Sequence, residues 1–245
     1  MRLTASYFRA GLKELLRNPG YWVPTILFPA MLFSFFGAEM AGGGTLAGQL
    51  GTVSFTVYAV VGVSFYQFGV GVAQDRETPW EGYLKTLPTS PRPRIAARLL
   101  TAILFALGAA ALVIAVSRAV TGTSFSAATL GQLALVLFAG AVPFTLLGIA
   151  IGYLTSARAS VAVANMLFLP LAFVGGLWLP PQALPDPVAA ISPYTPTREL
   201  AELAWAVVLG RSPDKTAILG LIGYTLLFGL VAGWAAARDQ WTRYG

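Results

Sequence analysis

What most constrains this chain is a succession of six apolar stretches, each long enough to cross a bilayer and each set off by a charged or a proline- or glycine-rich segment. They fall at about residues 22–38, 50–73, 95–116, 130–154, 160–179 and 216–237. A hydrocarbon core accepts about 20 helical residues, and inside lipid every backbone N–H and C=O must be bonded internally, which leaves only helices or a closed barrel. Segments of about ten residues that alternate apolar and polar side chains, the mark of a barrel, do not occur here. The chain therefore reads as an all-α, polytopic membrane protein with six transmembrane helices in a single domain over 1–245. Composition agrees: with 56% hydrophobic and 11% charged residues, 245 residues cannot coat a soluble globule.

Two segments outside the spans have their own pattern. Residues 2–17 place Arg2, Ser6, Arg9, Lys13 and Arg17 on one helical face and Tyr7, Phe8, Leu12, Leu15 and Leu16 on the other, which predicts an amphipathic helix lying in the membrane interface. A cleaved signal peptide is the alternative, but its charged region would be too long. The stretch Val161–Leu209 begins as an apolar span containing Asn165 and Pro170 and breaks at Trp178-Leu179-Pro180-Pro181. It continues over 181–209 through Pro185, Pro187, Pro193 and Pro196 into a segment carrying Arg198, Glu199 and Glu202. That second half is too short and too charged to span, so it is expected as an interfacial or re-entrant helical segment between helices 5 and 6.

Twelve of the sixteen Lys and Arg residues fall at the N-terminus, in 74–98, at Arg158 and in the C-terminal tail, whereas Arg118, Arg198, Arg211 and Lys215 lie on the other side. The positive-inside rule then predicts that both termini are cytoplasmic and the 181–209 segment external. A net charge of +6 explained by orientation gives no reason to expect nucleic acid as a partner.

Function is narrowed mainly by what is missing. The chain has no Cys and no His, and its ten acidic residues all fall in loops or at span ends. Thiolate and imidazole catalysis and the usual zinc sites are excluded, and no paired carboxylates suggest an enzyme. An ion-gradient-driven carrier generally needs an ionisable group within the membrane, and no predicted span holds one at its middle. A phosphate-binding Gly-x-x-x-x-Gly-Lys-Ser/Thr loop is absent as well. A transporter of this composition would draw its energy from a second protein; a non-transporting membrane assembly protein is the other reading.

Residues 75–91 are the surface on which such a protein would dock. Arg76, Glu77 and Glu81 offer charge, while Trp80, Tyr83 and Leu84 offer the aromatic and apolar anchors that dominate interfaces; the competing reading is a topology loop whose aromatic rings rest among headgroups. Arg158 in the neighbouring loop is a second candidate contact. Within the spans, Tyr58, Ser64, Gln67, Asn165 and Phe168 are pathway candidates, with Tyr66 and Thr145 as further polar side chains. Polar groups in hydrocarbon also serve simply to join helices. Gly148-x-x-x-Gly152 and Gly229-x-x-x-Gly233 permit close helix approach, which we assign to packing within one chain.

The order of these parts resembles a known family. A basic interfacial helix and two spans lead to Arg76-Glu77, Trp80-Glu81-Gly82-Tyr83-Leu84 and Leu87-Pro88-Thr89-Ser90-Pro91, and later spans end in Phe168-Leu-Pro-Leu-Ala-Phe-Val-Gly-Gly-Leu-Trp-Leu-Pro before a proline-rich segment. Over essentially its whole length the chain is similar to the type-2 exporter permeases of ATP-binding-cassette (ABC) transporters. In that family Arg/Glu-x-Gly-Thr-x-Glu-x-Leu-x-x-Thr-Pro follows the second span; Glu81, Leu84, Thr86 and Pro88 approximate it here, with Trp80 and Gly82 in altered places. The resemblance implies a dimer with a second permease copy or homologue. Each permease would grip a cytoplasmic ABC ATPase subunit through a short coupling helix and export a hydrophobic or amphipathic solute, drug-like or lipidic, across the cell membrane. It implies no cofactor in this chain, ATP and Mg being held by the partner ATPase.

Overall fold

The computed structural model describes residues 2–37, 39, 45–86 and 92–244, the side chains of 2, 84–86 and 240–244 excepted. No strand occurs among them. In chain order the helices are α1 (Arg2–Leu16), α2 (Pro19–Gly37), α3 (Thr45–Arg76), the short α4 (Pro79–Thr86), α5 (Arg92–Thr121), α6 (Ala127–Leu154), α7 (Ala157–Val174), the short α8 (Asp186–Ile191), α9 (Pro196–Val208) and α10 (Lys215–Tyr244). Among the described residues six of these, α2, α3, α5, α6, α7 and α10 (its Lys215–Asp239 part), are long and apolar enough to cross a membrane. This is a multi-pass, all-α membrane protein.

Local chemistry sets the breaks. Pro19 opens α2 at a position where its missing N–H is no loss. Pro24 then falls inside a π-helical stretch, Val23–Leu27, in which the Phe28 N–H donates to the Val23 carbonyl five residues back. Ser126 and Ser156 cap α6 and α7, each hydroxyl accepting from the N–H three residues on. Gly176, at φ +75°, turns the chain after α7.

The middle of the bundle is α3: 78% of its most apolar stretch is buried, against 17% for α10. Helices α5 and α6 pack on α3, α10 packs on α6, and α1 lies along α5. At Gly148 a Cβ would stand 2.8 Å from the Ser64 carbonyl oxygen, and at Gly152 it would stand 2.7 Å from Val72 Cβ. The first glycine pair therefore brings the backbones of α3 and α6 together within one chain. Gly229 and Gly233 make no such approach, the nearest atom to a Cβ at Gly229 being Leu146 Cδ1 at 3.7 Å.

Several helix limits differ from those expected from apolarity. Helix α3 runs on to Arg76 and α5 covers 92–121, because a helix continues through the headgroup layer after its side chains turn polar. Helix α7 stops at Val174, five residues before the end of the apolar run. The expected 22–38 span includes Ala38, and the expected 75–91 segment includes residues 87–91; these lie outside the described residues.

The segment after α7 is re-entrant. Leu200 on α9 fills a notch at Gly140, where a Cβ would be 2.2 Å from Leu200 Cδ1; Gly140 is halfway along α6, about 20 Å from either end. Trp205 Nε1 donates to Ser54 Oγ at 2.9 Å, and Thr197 Oγ1 donates to the Leu171 carbonyl at 2.5 Å. Helix α9 is thus wedged among α3, α6 and α10.

Candidate coupling surface and membrane seam

The membrane face that holds both chain ends is termed the terminal face, and the opposite one the far face. At the terminal face α3 ends in Arg76, and residues 77–78 turn the chain into α4. Thr78 Oγ1 donates to the Asp75 carbonyl at 2.7 Å and accepts from the Glu81 N–H at 3.3 Å, which starts α4. Trp80 and Tyr83 stand side by side on α4 with ring centroids 5.5 Å apart. They are 60% and 54% exposed, an aromatic patch at the surface of the described residues. Arg158, at the start of α7, is exposed on the same face. The side chain of Leu84 lies outside the described residues.

The remaining charged candidates are engaged within the chain. Arg76 pairs with Asp239 of α10, donates to the carbonyls of Gly152 and Thr155 at the end of α6, and stacks over Tyr153 with its Cζ 5.1 Å from the ring centre. The last carbonyls of a helix lack intrahelical donors and carry its negative dipole end, so a half-buried guanidinium is well placed there. Arg76 therefore clasps α3, α6 and α10 together. Glu81 receives a two-pronged bond from Arg94 of α5, at 2.7 and 2.8 Å, and Asp75 pairs with Arg98. Glu77 Oε1 accepts from the Ala157 N–H at 2.9 Å, and so supplies one of the acceptors that the first turn of α7 needs. The pairings with Arg94, Arg98 and Asp239 have no signature in sequence spacing.

Three of the pathway candidates, Tyr58, Asn165 and Phe168, meet along one seam between α3 and α7. Tyr58 stacks on Phe168 at 4.7 Å, and Phe65 meets the same ring at 5.5 Å. Gly62 gives Phe168 room, since a Cβ there would stand 3.2 Å from Phe168 Cζ. Toward the far face Trp178 joins Tyr58 at 5.9 Å, its indole Nε1 buried without a hydrogen-bond partner. Tyr66 OH donates to Asn165 Oδ1 at 3.1 Å, and Ser64 Oγ donates within its own helix to the Val60 carbonyl. Tyr58, Ser64, Gln67 and Phe168 are all buried. Within one chain the seam is packed shut.

These features meet in one chain whose sequence follows a known pattern: that of the ABC-2 type transporter family matches residues 3–204. The chain belongs to the ABC-2 type transporter family. A Bacillus subtilis (strain 168) protein named "Putative transport permease YvfS" is 24% identical to it over 236 residues, covering 94% of this chain and 96% of that one. As an ABC-2 family member, the chain is a membrane transport permease.

The bundle also contains a carboxylate that hydropathy does not reveal. Glu199 falls in a loop by sequence, but the re-entrant course of α9 lays it against Gly220 of α10, where a Cβ would be 1.9 Å from Glu199 Oε1. The apolar part of α10 begins at Ala217, so Glu199 sits one turn inside it. Burial pushes its pKa up to about 7. Its position near the far boundary, away from the α3/α7 seam, is not that of an ion site at the membrane midplane.

Proposed function

We propose that this chain is the permease subunit of an ATP-driven exporter in the cell membrane, with its terminal face cytoplasmic. The exposed Trp80 and Tyr83 pair on α4, joined by Arg158, would seat a separate ABC ATPase subunit that binds ATP and Mg and performs the hydrolysis. The observation that carries this reading is the Glu77 bond to the Ala157 N–H. It ties the turn that presents the aromatic pair to the first turn of α7, the helix that carries Asn165 and Phe168 into the seam. Force applied at α4 would move α7 against α3.

A second copy of the permease, or a homologue, would supply the other wall. Val161, Met166 and Leu167 leave apolar surface of α7 exposed for such a neighbour, Met166 by 73%. A pathway opened along Tyr58, Ser64, Gln67, Asn165 and Phe168 would be aromatic with few polar groups and no fixed charge, which suits a hydrophobic or amphipathic solute, drug-like or lipidic.

The test is coexpression with a candidate ABC ATPase subunit that carries the phosphate-loop motif. Trp80→Ala with Tyr83→Ala is expected to abolish copurification of the ATPase while leaving membrane insertion and thermal stability unchanged, since both side chains are exposed. Undiminished association would sink the docking assignment. Transport by proteoliposomes under an ion gradient, without ATPase or ATP, would sink the energy assignment.

A further inference from the structure

At the far face a groove of about 270 Å3 opens along the outside of α10, lined by Tyr194, Glu199, Gly220, Gly223, Tyr224 and Leu227. Its two ends differ chemically. At the end nearer the far surface stands the Glu199 carboxylate, whose Oε2 is buried with no hydrogen-bond partner among the described residues. Among the described residues no cation pairs with it; the adjacent Arg198 is turned to Glu202, with Nε to Oε1 at 2.8 Å. Inward from there, Gly223 and Leu227 continue on the face of Gly220 at helical spacing, so the groove runs toward the membrane interior and becomes apolar. Tyr224 OH donates to the Tyr194 carbonyl, closing the groove floor between α10 and the turn before α9. Alongside it α10 exposes Leu219, Leu226 and Leu230 by 65% or more, so this side of the helix faces lipid.

A carboxylate one turn inside the far boundary, with an apolar channel leading inward from it, is the shape of a contact for one lipid molecule, its headgroup outward and an acyl chain inward. We propose that this groove binds a phospholipid of the far leaflet bearing a primary ammonium headgroup, with the ammonium on the Glu199 carboxylate and one acyl chain along Gly220, Gly223 and Leu227. The sign of the site selects the headgroup, because its single fixed charge is negative and would repel a lipid that offers only phosphate. Tyr194, 77% exposed beside it, adds an aromatic face that attracts a cation. The opening toward lipid, and not toward the α3/α7 seam, assigns the groove to a resident lipid instead of to transported solute. Burial lifts the proton affinity of Glu199, and an adjoining ammonium would restore its ionised form. This assignment depends on the membrane setting alone and is independent of any ATPase.

The full-length chain, purified in mild detergent, is titrated with phosphatidylethanolamine or with its N-acetylated derivative, which keeps the chains and phosphate but has no ammonium, and bound lipid is counted by native mass spectrometry. Wild type is expected to prefer the ammonium lipid by about tenfold, the size of one charge-assisted hydrogen bond. Glu199→Gln, close in shape, is expected to erase that preference. Gly223→Leu, which fills the groove and leaves the carboxylate, is expected to reduce retention of both lipids. Equal binding of the two lipids by wild type, or an unchanged preference in Glu199→Gln, would overturn the proposal. Displacement of the lipid by an equimolar single-chain alkylammonium would also overturn it, by reassigning the groove to cationic solute. Should Glu199→Gln fail to fold, the wild-type comparison decides alone.

Discussion

Replacing Arg76 with alanine should be among the most damaging single changes at the terminal face. The guanidinium is 12% exposed and its partner Asp239 6%, and the same group serves the Gly152 and Thr155 carbonyls and the Tyr153 ring. Breaking a buried pair from one side costs about 3–5 kcal/mol, because the remaining charge stays desolvated with that interaction gone. The clasp sits at the membrane boundary where water can reach Asp239, so we expect the lower end, about 3 kcal/mol. For a chain of 150–250 residues, each kcal/mol lowers Tm by about 2–4 °C, which gives a fall of about 6–12 °C. Asp239→Ala should cost less, about 1–2 kcal/mol, since Arg76 keeps its carbonyl partners. The double variant should be no worse than Arg76→Ala. The chain has six Trp and no Cys, so intrinsic tryptophan fluorescence at a fixed scan rate is the suitable assay and thiol-reactive dyes are not. A shift below about 2 °C for Arg76→Ala, or full additivity in the double variant, would refute the clasp.

Two further outcomes follow from packing. Gly148→Ala should destabilise by about 1–3 kcal/mol, the usual range for overpacking, because its Cβ would meet backbone atoms of Ser64 and Gly69 at 2.8 and 3.2 Å; Gly233→Ala, with nothing within 4 Å, should be neutral in the same fluorescence melt. Leu200→Ala should cost about 2–5 kcal/mol by leaving a cavity opposite Gly140, and limited proteolysis of intact vesicles should then cut the 181–209 segment faster than in wild type. An unchanged cleavage rate would mean that Leu200 does not hold α9 in the bundle.

The candidate site was legible in part. Trp80 and Tyr83 could be read as an uncovered aromatic pair because a large apolar ring between charged residues has few other uses, and the chain indeed leaves them exposed. Arg76, Glu77 and Glu81 look equally available in the sequence, yet each is engaged within the chain, by Asp239, the Ala157 N–H and Arg94. Their partners lie 13 to 163 residues away, and sequence does not announce a charge pair at such separations. Glu199 was missed for a related reason. Membrane depth was judged from the apolarity of its own segment, whereas its depth is set by where Leu200, Thr197 and Trp205 anchor α9.

The six spans, the interfacial first helix and the break after the fifth span were determined by sequence alone, because each rests on a local balance of apolar and polar groups that a bilayer enforces residue by residue. Tertiary structure alone decided that Gly148 and Gly152 join α6 to α3, that α9 enters the bundle, that Arg76 locks three helices together, and that a carboxylate packs beside Gly220. Those outcomes depend on which surfaces meet across the bundle. Hydropathy specifies how much of a helix may face lipid, but not which neighbour covers the rest.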